Sequence, residues 1–307
     1  MGSWLILLFG VMGLACCTAR PTIPAKLSFV ALDLDGTTLN TDHKISTKNL
    51  GVIRDVLNRK IGLAIATGRS MSGIYEHLEK IKPSVPVPVL SLNGALCLRY
   101  GVDGKITEIF KDPVPADIVK EVVALGLEKG FMVQFYISDE IYAYPQTEKH
   151  IEHMKKYESL AGHPQKVIKS EEELMALGQP AKILLFTDDP DSLIKFSEEK
   201  FGDRVHLVRG SPVPFFVEYL AKGVCKGNGL LKLCKELKID PKSVLAFGDG
   251  DNDKEFLELS GYGVAMKNAR DVTKAKADYV LQWTNDEDGV GRQLELMIQE
   301  GKLNPPE

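Results

Sequence analysis

Short apolar runs alternate with helix-patterned segments along the first third of this chain, and each run ends in polar residues. Phe29 to Leu32 is wholly apolar and passes into Asp33-Leu-Asp-Gly-Thr37. Behind Ser46 or Thr47 as a cap, Leu50, Ile53, Val56 and Leu57 recur at helical spacing, and that helix ends before Gly62. Leu63 to Ala66 is the next buried strand and runs into Thr67-Gly-Arg-Ser70. Ser70 caps a helix bearing Ile74, Leu78 and Ile81, which stops at the proline-rich stretch from Pro83 to Pro88. Val89 to Leu92 is the third strand and ends in Asn93-Gly94. Fully apolar strands alternating with amphipathic helices predict an α/β fold with a Rossmann-like parallel sheet covered on both faces.

From Ala95 the rhythm changes. Residues 96–100 and 105–111 flank Val102-Asp-Gly104 in the manner of an antiparallel hairpin. Helices are predicted at 115–129, 148–160, 171–177 and 190–201, and strands at 131–137, 141–144, 181–186 and near Val205 and Phe215. Residues 96–213 therefore read as a second α/β unit inserted into the first. The first unit resumes with a helix opening at Lys226 and carrying Leu230, Leu231, Leu233 and Leu237, closed by Asp240-Pro241. Val244 to Phe247 is a further buried strand, ending in Gly248-Asp-Gly-Asp-Asn-Asp253. Strands at 263–266 and 279–281, with helices at 268–276 and 289–298, complete it. The expected division is a leader at 1–24, the first unit at 25–95 and 214–300, the insertion at 96–213 and a tail at 301–307.

Composition narrows the picture further. The chain has 307 residues, 44% of them hydrophobic and 26% charged, which is ordinary for two globular units. A formal net charge of -4 provides no basic field, which argues against nucleic acid as the main partner. Trp4 to Cys17 is almost wholly apolar and is followed by Thr18, Ala19, Arg20 and Pro21, the length and flank of a signal-peptide core with cleavage after Ala19. Secretory or organelle entry is the expectation. Because no Lys or Arg precedes the apolar run, the alternatives are a retained anchor, which would make a membrane a partner, or an unused upstream start on a cytoplasmic protein. Of five cysteines, Cys16 and Cys17 fall in the leader. Cys97, Cys225 and Cys234 have neither metal-ligand spacing nor a disulfide framework. Cys225 adjoins Lys226 and is read as a small buried filler in preference to a reactive thiol.

The polar strand ends carry the chemistry. Side chains two apart on a strand point the same way, so Asp33 and Asp35 share a face, and like charges that close require a cation or a proton between them. Ligands of open α/β sheets bind outside the carboxyl ends of the strands. Asp33, Asp35, Thr67, Asn93, Asp249 and Asp253 thus converge on one crevice. Its carboxylates call for Mg2+, which favours oxygen ligands and room for water and a phosphate oxygen. A calcium loop beginning at Asp249 is excluded by spacing, since its sixth and twelfth positions hold Lys254 and Ser260 where Gly and Glu are required.

In these motifs the chain resembles the haloacid dehalogenase superfamily, and within it the Cof-type branch of small-molecule phosphatases. The resemblance runs from about Leu27 to Ile298. Asp33-Leu-Asp-Gly-Thr37, Ala66-Thr-Gly-Arg69, Gly223-Val-Cys-Lys-Gly227 and Gly248-Asp-Gly-Asp-Asn-Asp253 match its four motifs in order, and Asn93-Gly-Ala95 and Asn285-Asp-Glu-Asp-Gly-Val290 look like further signatures of the branch. Thr38, where an apolar residue is common, and Phe256, where Met is, depart from the pattern outside the catalytic set. The resemblance implies an α/β cap inserted between the second and third motifs, and hydrolysis of a small phosphorylated metabolite with Mg2+. It makes Asp33 the nucleophile that forms an aspartyl-phosphate. Asp35 becomes the general acid and then base, touching the metal through its backbone carbonyl and keeping its side chain free to carry a proton. Thr67 and Lys226 are implied to stabilise the phosphoryl charge, with Asp253 holding Lys226. Asp249 completes a metal site with Asp33 and Asp35. Gly68, Arg69, Asn93 and Asn252 are implied to line the substrate site. A phosphomutase of the phosphomannomutase type shares the opening motif, but the Asn285 to Val290 signature favours a hydrolase; a non-catalytic module is disfavoured by the complete acidic and basic set. Gln134, Tyr136, Tyr142, His150, His153 and Glu218, in the insertion, read as packing or surface residues.

Overall fold

Phe29–Leu32 (β1) is buried along its whole length because it lies in the middle of a sheet, hydrogen-bonded in parallel to a strand on either side. The structure, a computed structural model, describes residues 26–210 and 215–306, so the expected leader and its cleavage point lie outside the described residues. The chain next makes Gly62–Ala66 (β2), Val87–Ser91 (β3), Leu96–Tyr100 (β4) and Ile106–Lys111 (β5). It then builds a second sheet from Met132–Ile137 (β6), Glu140–Tyr144 (β7), Lys166–Val167 (β8), Lys182–Phe186 (β9), Val205–Arg209 (β10) and Phe216–Ala221 (β11). It returns to the first sheet with Val244–Gly248 (β12), Tyr262–Ala265 (β13) and Tyr279–Val280 (β14).

The first sheet has the order β14-β13-β12-β1-β2-β3-β4-β5, parallel from β14 to β3 and antiparallel across β4 and β5. Helices cover both faces, as crossover connections of one hand require. Thr47–Asn58 lies against Tyr75–Ile81 and Gly289–Gln299, and Lys226–Leu237 lies against Lys254–Glu258. Ser46 caps the first of these through its side chain, which accepts from the Asn49 amide.

The second sheet has the order β10-β11-β9-β6-β7-β8 and is antiparallel except for the β7–β8 pair. Its alternation sorts side chains to two different cores. Val133, Phe135, Ile183, Leu185, Val217 and Tyr219 point to one face and pack on the helices Ala116–Lys129 and Pro190–Phe201. Met132, Tyr136, Leu184, Phe186, Phe216 and Leu220 point to the other and join the large core that includes the first sheet.

Four expected boundaries shift. The hairpin after Ala95 extends the first sheet, because β4 pairs with β3 from Val87↔Tyr100 to Ser91↔Leu96. An insertion starting at residue 96 would have cut that ladder. Phe216–Ala221 belongs to the second sheet, between β10 and β9, whereas the sequence pattern puts the return at residue 214. The described segments thus place the second unit between Lys111 and Lys226. The terminal residues are not a free tail: Leu303 is buried against Leu27, and the Asn304 amide donates to the Leu27 carbonyl at 2.9 Å. The helix expected over 268–276 is confined to Asp271–Lys274.

Candidate active site

At the end of β1 the chain turns through Leu34 to Thr38, and the turn depends on Gly36. Its φ is +73°, in the left-handed region, and a Cβ there would collide with the Asp249 carboxylate. Thr37 and Thr38, absent from the predicted site, fix this loop. The Thr37 hydroxyl donates to Asp249 Oδ1 at 2.7 Å, and the buried Thr38 hydroxyl donates to the Asp33 carbonyl at 2.6 Å. Thr38 therefore holds the backbone of Asp33, which explains a polar residue where an apolar one was expected. The Asn285 signature supports the loop from behind, with Asn285 Nδ2 donating to the Leu39 carbonyl and Asn268 Nδ2 to that of Gly36.

Lys226 is 1% exposed, and its ammonium donates to Asp33 Oδ1 at 2.6 Å and to Asp253 Oδ1 at 2.8 Å. The other Asp253 oxygen accepts the backbone amides of Asp249 and Gly250 at 3.0 and 2.9 Å. Both oxygens of Asp253 are thus engaged. Carboxylate oxygens of Asp33, Asp249 and Asp253 lie within 4.8 Å of one another. Burial, then the charge of Asp253, raises the Asp33 carboxyl well above its usual range, despite the opposing pull of Lys226. Burial and Asp253 likewise raise Asp249 to about 7. Lys226 is also raised: burial alone would lower it, but Asp253 and Asp33 outweigh burial and keep it charged. Three carboxylates around a single ammonium are short of two positive charges. That deficit, in an all-oxygen setting, fits a divalent cation among the carboxylates of Asp33, Asp249 and Asp253.

Asp35 departs from expectation. Its side chain is not free: Arg69 Nε and Nη2 grip both carboxylate oxygens at 2.7 and 2.5 Å, and His43 Nδ1 lies 3.2 Å from Oδ1. Burial would raise this carboxyl, but the hydrogen bonds and charge of Arg69, aided by His43, hold it below the usual range. A bidentate guanidinium orients a carboxylate more strongly than a spacing argument can foresee. His43, in the loop after Leu39, carried no signal in the sequence.

Thr67, Gly68, Asn93 and Asn252 meet one another beyond the ends of β2, β3 and β12. Thr67 is buried, with its amide held by the Leu90 carbonyl at 2.8 Å and its hydroxyl oxygen accepting from the Arg69 amide at 3.2 Å. After β3, Leu92 and Asn93 both adopt left-handed backbone, at φ +53° and +58°, a strained turn pinned by amide bonds to the Arg69 and Thr67 carbonyls. The turn aims Asn93 at both units: its Oδ1 accepts from Asn252 at 2.8 Å and its Nδ2 donates to Glu218 of β11 at 2.9 Å. Glu218, read from the sequence as packing, also accepts from Lys182 Nζ at 2.8 Å, and Lys182 reaches the Gly68 carbonyl at 3.2 Å. In the sequence Lys182 is marked by nothing more than a charged residue near the start of an otherwise apolar strand. Cys225 is buried and its sulfur accepts from the Asn228 amide at 3.4 Å, capping the helix that opens at Lys226, while burial pushes its thiol up.

A family model described as haloacid dehalogenase-like hydrolase matches residues 30–294. The chloroplastic endoribonuclease YBEY of Arabidopsis thaliana is 29% identical over 279 residues, which cover 86% of this chain but 45% of that protein, so the chain spans under half of its length. The 5-amino-6-(5-phospho-D-ribitylamino)uracil phosphatase YitU of Bacillus subtilis is 28% identical over 275 residues, covering 88% of this chain and 97% of that one. A solved haloacid dehalogenase-like hydrolase from Bacteroides thetaiotaomicron superposes with a TM-score of 0.74 at 26% identity, covering 89% of this chain and all of that one.

Proposed function

The chain belongs to the haloacid dehalogenase-like hydrolases, in their Cof-type branch, and from that premise we propose that it is a Mg2+-dependent phosphatase of small phosphomonoesters working through an aspartyl-phosphate on Asp33. The observation that carries this reading is the Lys226 ammonium seated between Asp33 and Asp253, with Asp249 beside them. Names of similar proteins such as the B. subtilis phosphatase support the reaction class.

Asp33 attacks phosphorus, and the bond to the ester oxygen breaks. Lys226 keeps an ammonium at the nucleophile throughout, where charge gathers in the transition state. Bound Mg2+ would supply the remaining positive charge, polarising the phosphoryl oxygens and favouring the ionised form of Asp33. The Thr67 hydroxyl, whose own hydrogen is not committed to the Arg69 amide, donates to the phosphoryl group. The leaving alcohol takes a proton from Asp35. Water then attacks the aspartyl-phosphate and gives its proton to Asp35, so inorganic phosphate leaves and Asp33 is regenerated. The Arg69 grip favours ionised Asp35, the form this second step needs. In the first step the guanidinium must yield the carboxyl to a proton, and substrate phosphate is an alternative partner for it.

Hydrolysis of p-nitrophenyl phosphate with Mg2+ tests the proposal. Asp33→Asn is expected to lose activity by about a thousandfold or more and to trap no phospho-enzyme. Asp35→Asn should still label from this activated ester, which needs no proton for its leaving group, and should stall at hydrolysis. Turnover by Asp33→Asn at the parent rate would sink the assignment.

A further inference from the structure

The loop that follows Leu39 is built more firmly than a surface turn needs. Leu39 and Ile45 pair as an isolated antiparallel bridge. Between them the Asn40 amide donates to the Lys44 carbonyl at 3.0 Å, the Lys44 amide to Asn40 Oδ1 at 2.9 Å and the His43 amide to the Asn40 carbonyl at 2.9 Å. Thr41 ties the loop to a distant part of the chain: its amide and its hydroxyl donate to the two carboxylate oxygens of Asp286 at 2.7 and 2.6 Å. These bonds hold His43 in left-handed backbone, φ +55°, a conformation that is costly for a residue other than glycine and persists where its surroundings impose it. The side chain returns little of that cost as packing, since it is 57% exposed. What it touches is the acid–base pair: Nδ1 lies 3.2 Å from Asp35 Oδ1 and 3.2 Å from Arg69 Nη2.

The two oxygens of Asp35 are held unequally. Among the described residues Oδ2 has Arg69 Nε at 2.7 Å, whereas Oδ1 has both Arg69 Nη2 at 2.5 Å and His43 Nδ1. A carboxylate oxygen only accepts, so the His43 contact is a hydrogen bond when the ring hydrogen sits on Nδ1. Resting on the phosphatase reading, we propose that His43 is a positioning residue for Asp35: it keeps hold of Oδ1 when Arg69 turns to the substrate phosphate, which leaves Oδ2 as the oxygen that exchanges the proton. In the first step the hydrogen on Oδ2 passes to the ester oxygen as its bond to phosphorus breaks. In the second, a hydrogen of the attacking water passes to Oδ2 as the water oxygen bonds to phosphorus and the bond to Asp33 breaks. Without His43, a carboxyl released by Arg69 is free to rotate, and a proton donor out of line costs rate. A strained, exposed histidine tethered through Thr41 and Asp286 fits a residue kept for alignment and poorly fits one kept for cohesion.

The test compares two esters of similar shape on the full chain with Mg2+: p-nitrophenyl phosphate, whose leaving group departs without a proton, and phenyl phosphate, whose leaving group needs one. For each, kcat/KM is measured, because it reports transfer of the phosphoryl group to Asp33 and not the later hydrolysis. His43→Gly removes the ring and suits the left-handed backbone, so the loop can keep its bonds. It should raise the ratio of kcat/KM for p-nitrophenyl phosphate to that for phenyl phosphate by about tenfold or more. His43→Asn tolerates the same backbone and offers an amide N–H in place of Nδ1, and should bring the ratio back to within about threefold of the parent. A role in loop structure alone would lower both esters together and leave the ratio where it was. The proposal is overturned if His43→Gly leaves the ratio unchanged or if His43→Asn shifts it as far as His43→Gly does. An unaltered protein that cleaves the nitro ester but not phenyl phosphate has no working proton donor for His43 to hold, and overturns it too. Release of phosphate from neither ester refutes the phosphatase reading instead.

Discussion

The two sheets place buried charge in different ways. In the first, parallel strands run side by side and end together, so Asp33, Thr67, Asn93 and Asp249 are brought to one edge without any side chain crossing the sheet. In the second, antiparallel strands offer no common end, and Lys182 and Glu218 stand within a face, reached by strand alternation. The first cluster is short of positive charge, with Asp33 and Asp249 both raised by burial and by Asp253. The second is balanced, carboxylate to ammonium. A charge deficit suits a site that gathers a cation; a balanced pair makes no such demand.

The largest expected effect bears directly on that contrast. Lys226→Met leaves two buried carboxylates without their ammonium and should cost about 3–5 kcal/mol of unfolding free energy, read by urea denaturation at neutral pH. Lys182→Met should cost less, because it strands one carboxylate that keeps the Asn93 amide. Equal losses would break the comparison. Next in size, Mg2+ at a hundredfold excess over its dissociation constant should stabilise the parent by about 2.7 kcal/mol, read as a rise in Tm. Asp249→Asn should abolish that rise, and Lys182→Met should not. EDTA should stop phosphate release, with Mg2+ restoring it.

The smallest effect concerns the seam between the units. Asp139, in the β6–β7 turn, accepts the Ser72 amide at 2.8 and 3.1 Å, and burial raises its carboxyl despite those bonds. For an acid raised on folding, the ionised form opposes the fold, so stability is greatest below the unfolded value and falls as pH rises through the folded one. Asp139→Asn keeps one acceptor and removes the charge. Its Tm should exceed that of the parent near pH 7 and converge with it in acid; a lower Tm at every pH would show that the second acceptor matters more than the charge.

Local pattern alone determined the alternation of strands and helices, the parallel core, the polar strand ends, and the family, because those depend on period and on residues adjacent in sequence. Ser46 as a cap and Lys226 as a helix start were legible for the same reason. What only the tertiary structure decided involves partners far apart in the chain. Arg69 gripping Asp35 joins residues 34 positions apart, and Thr37 reaches Asp249 across 212. The edge of the insertion was likewise undecided, since hairpin strands such as β4 read alike whichever sheet they join, and only pairing with β3 assigns them. Lys182 beside Glu218 was hidden most fully. A charge inside an apolar strand looks like an exception until the neighbouring strand supplies its counter-ion and the first sheet supplies the crevice they face.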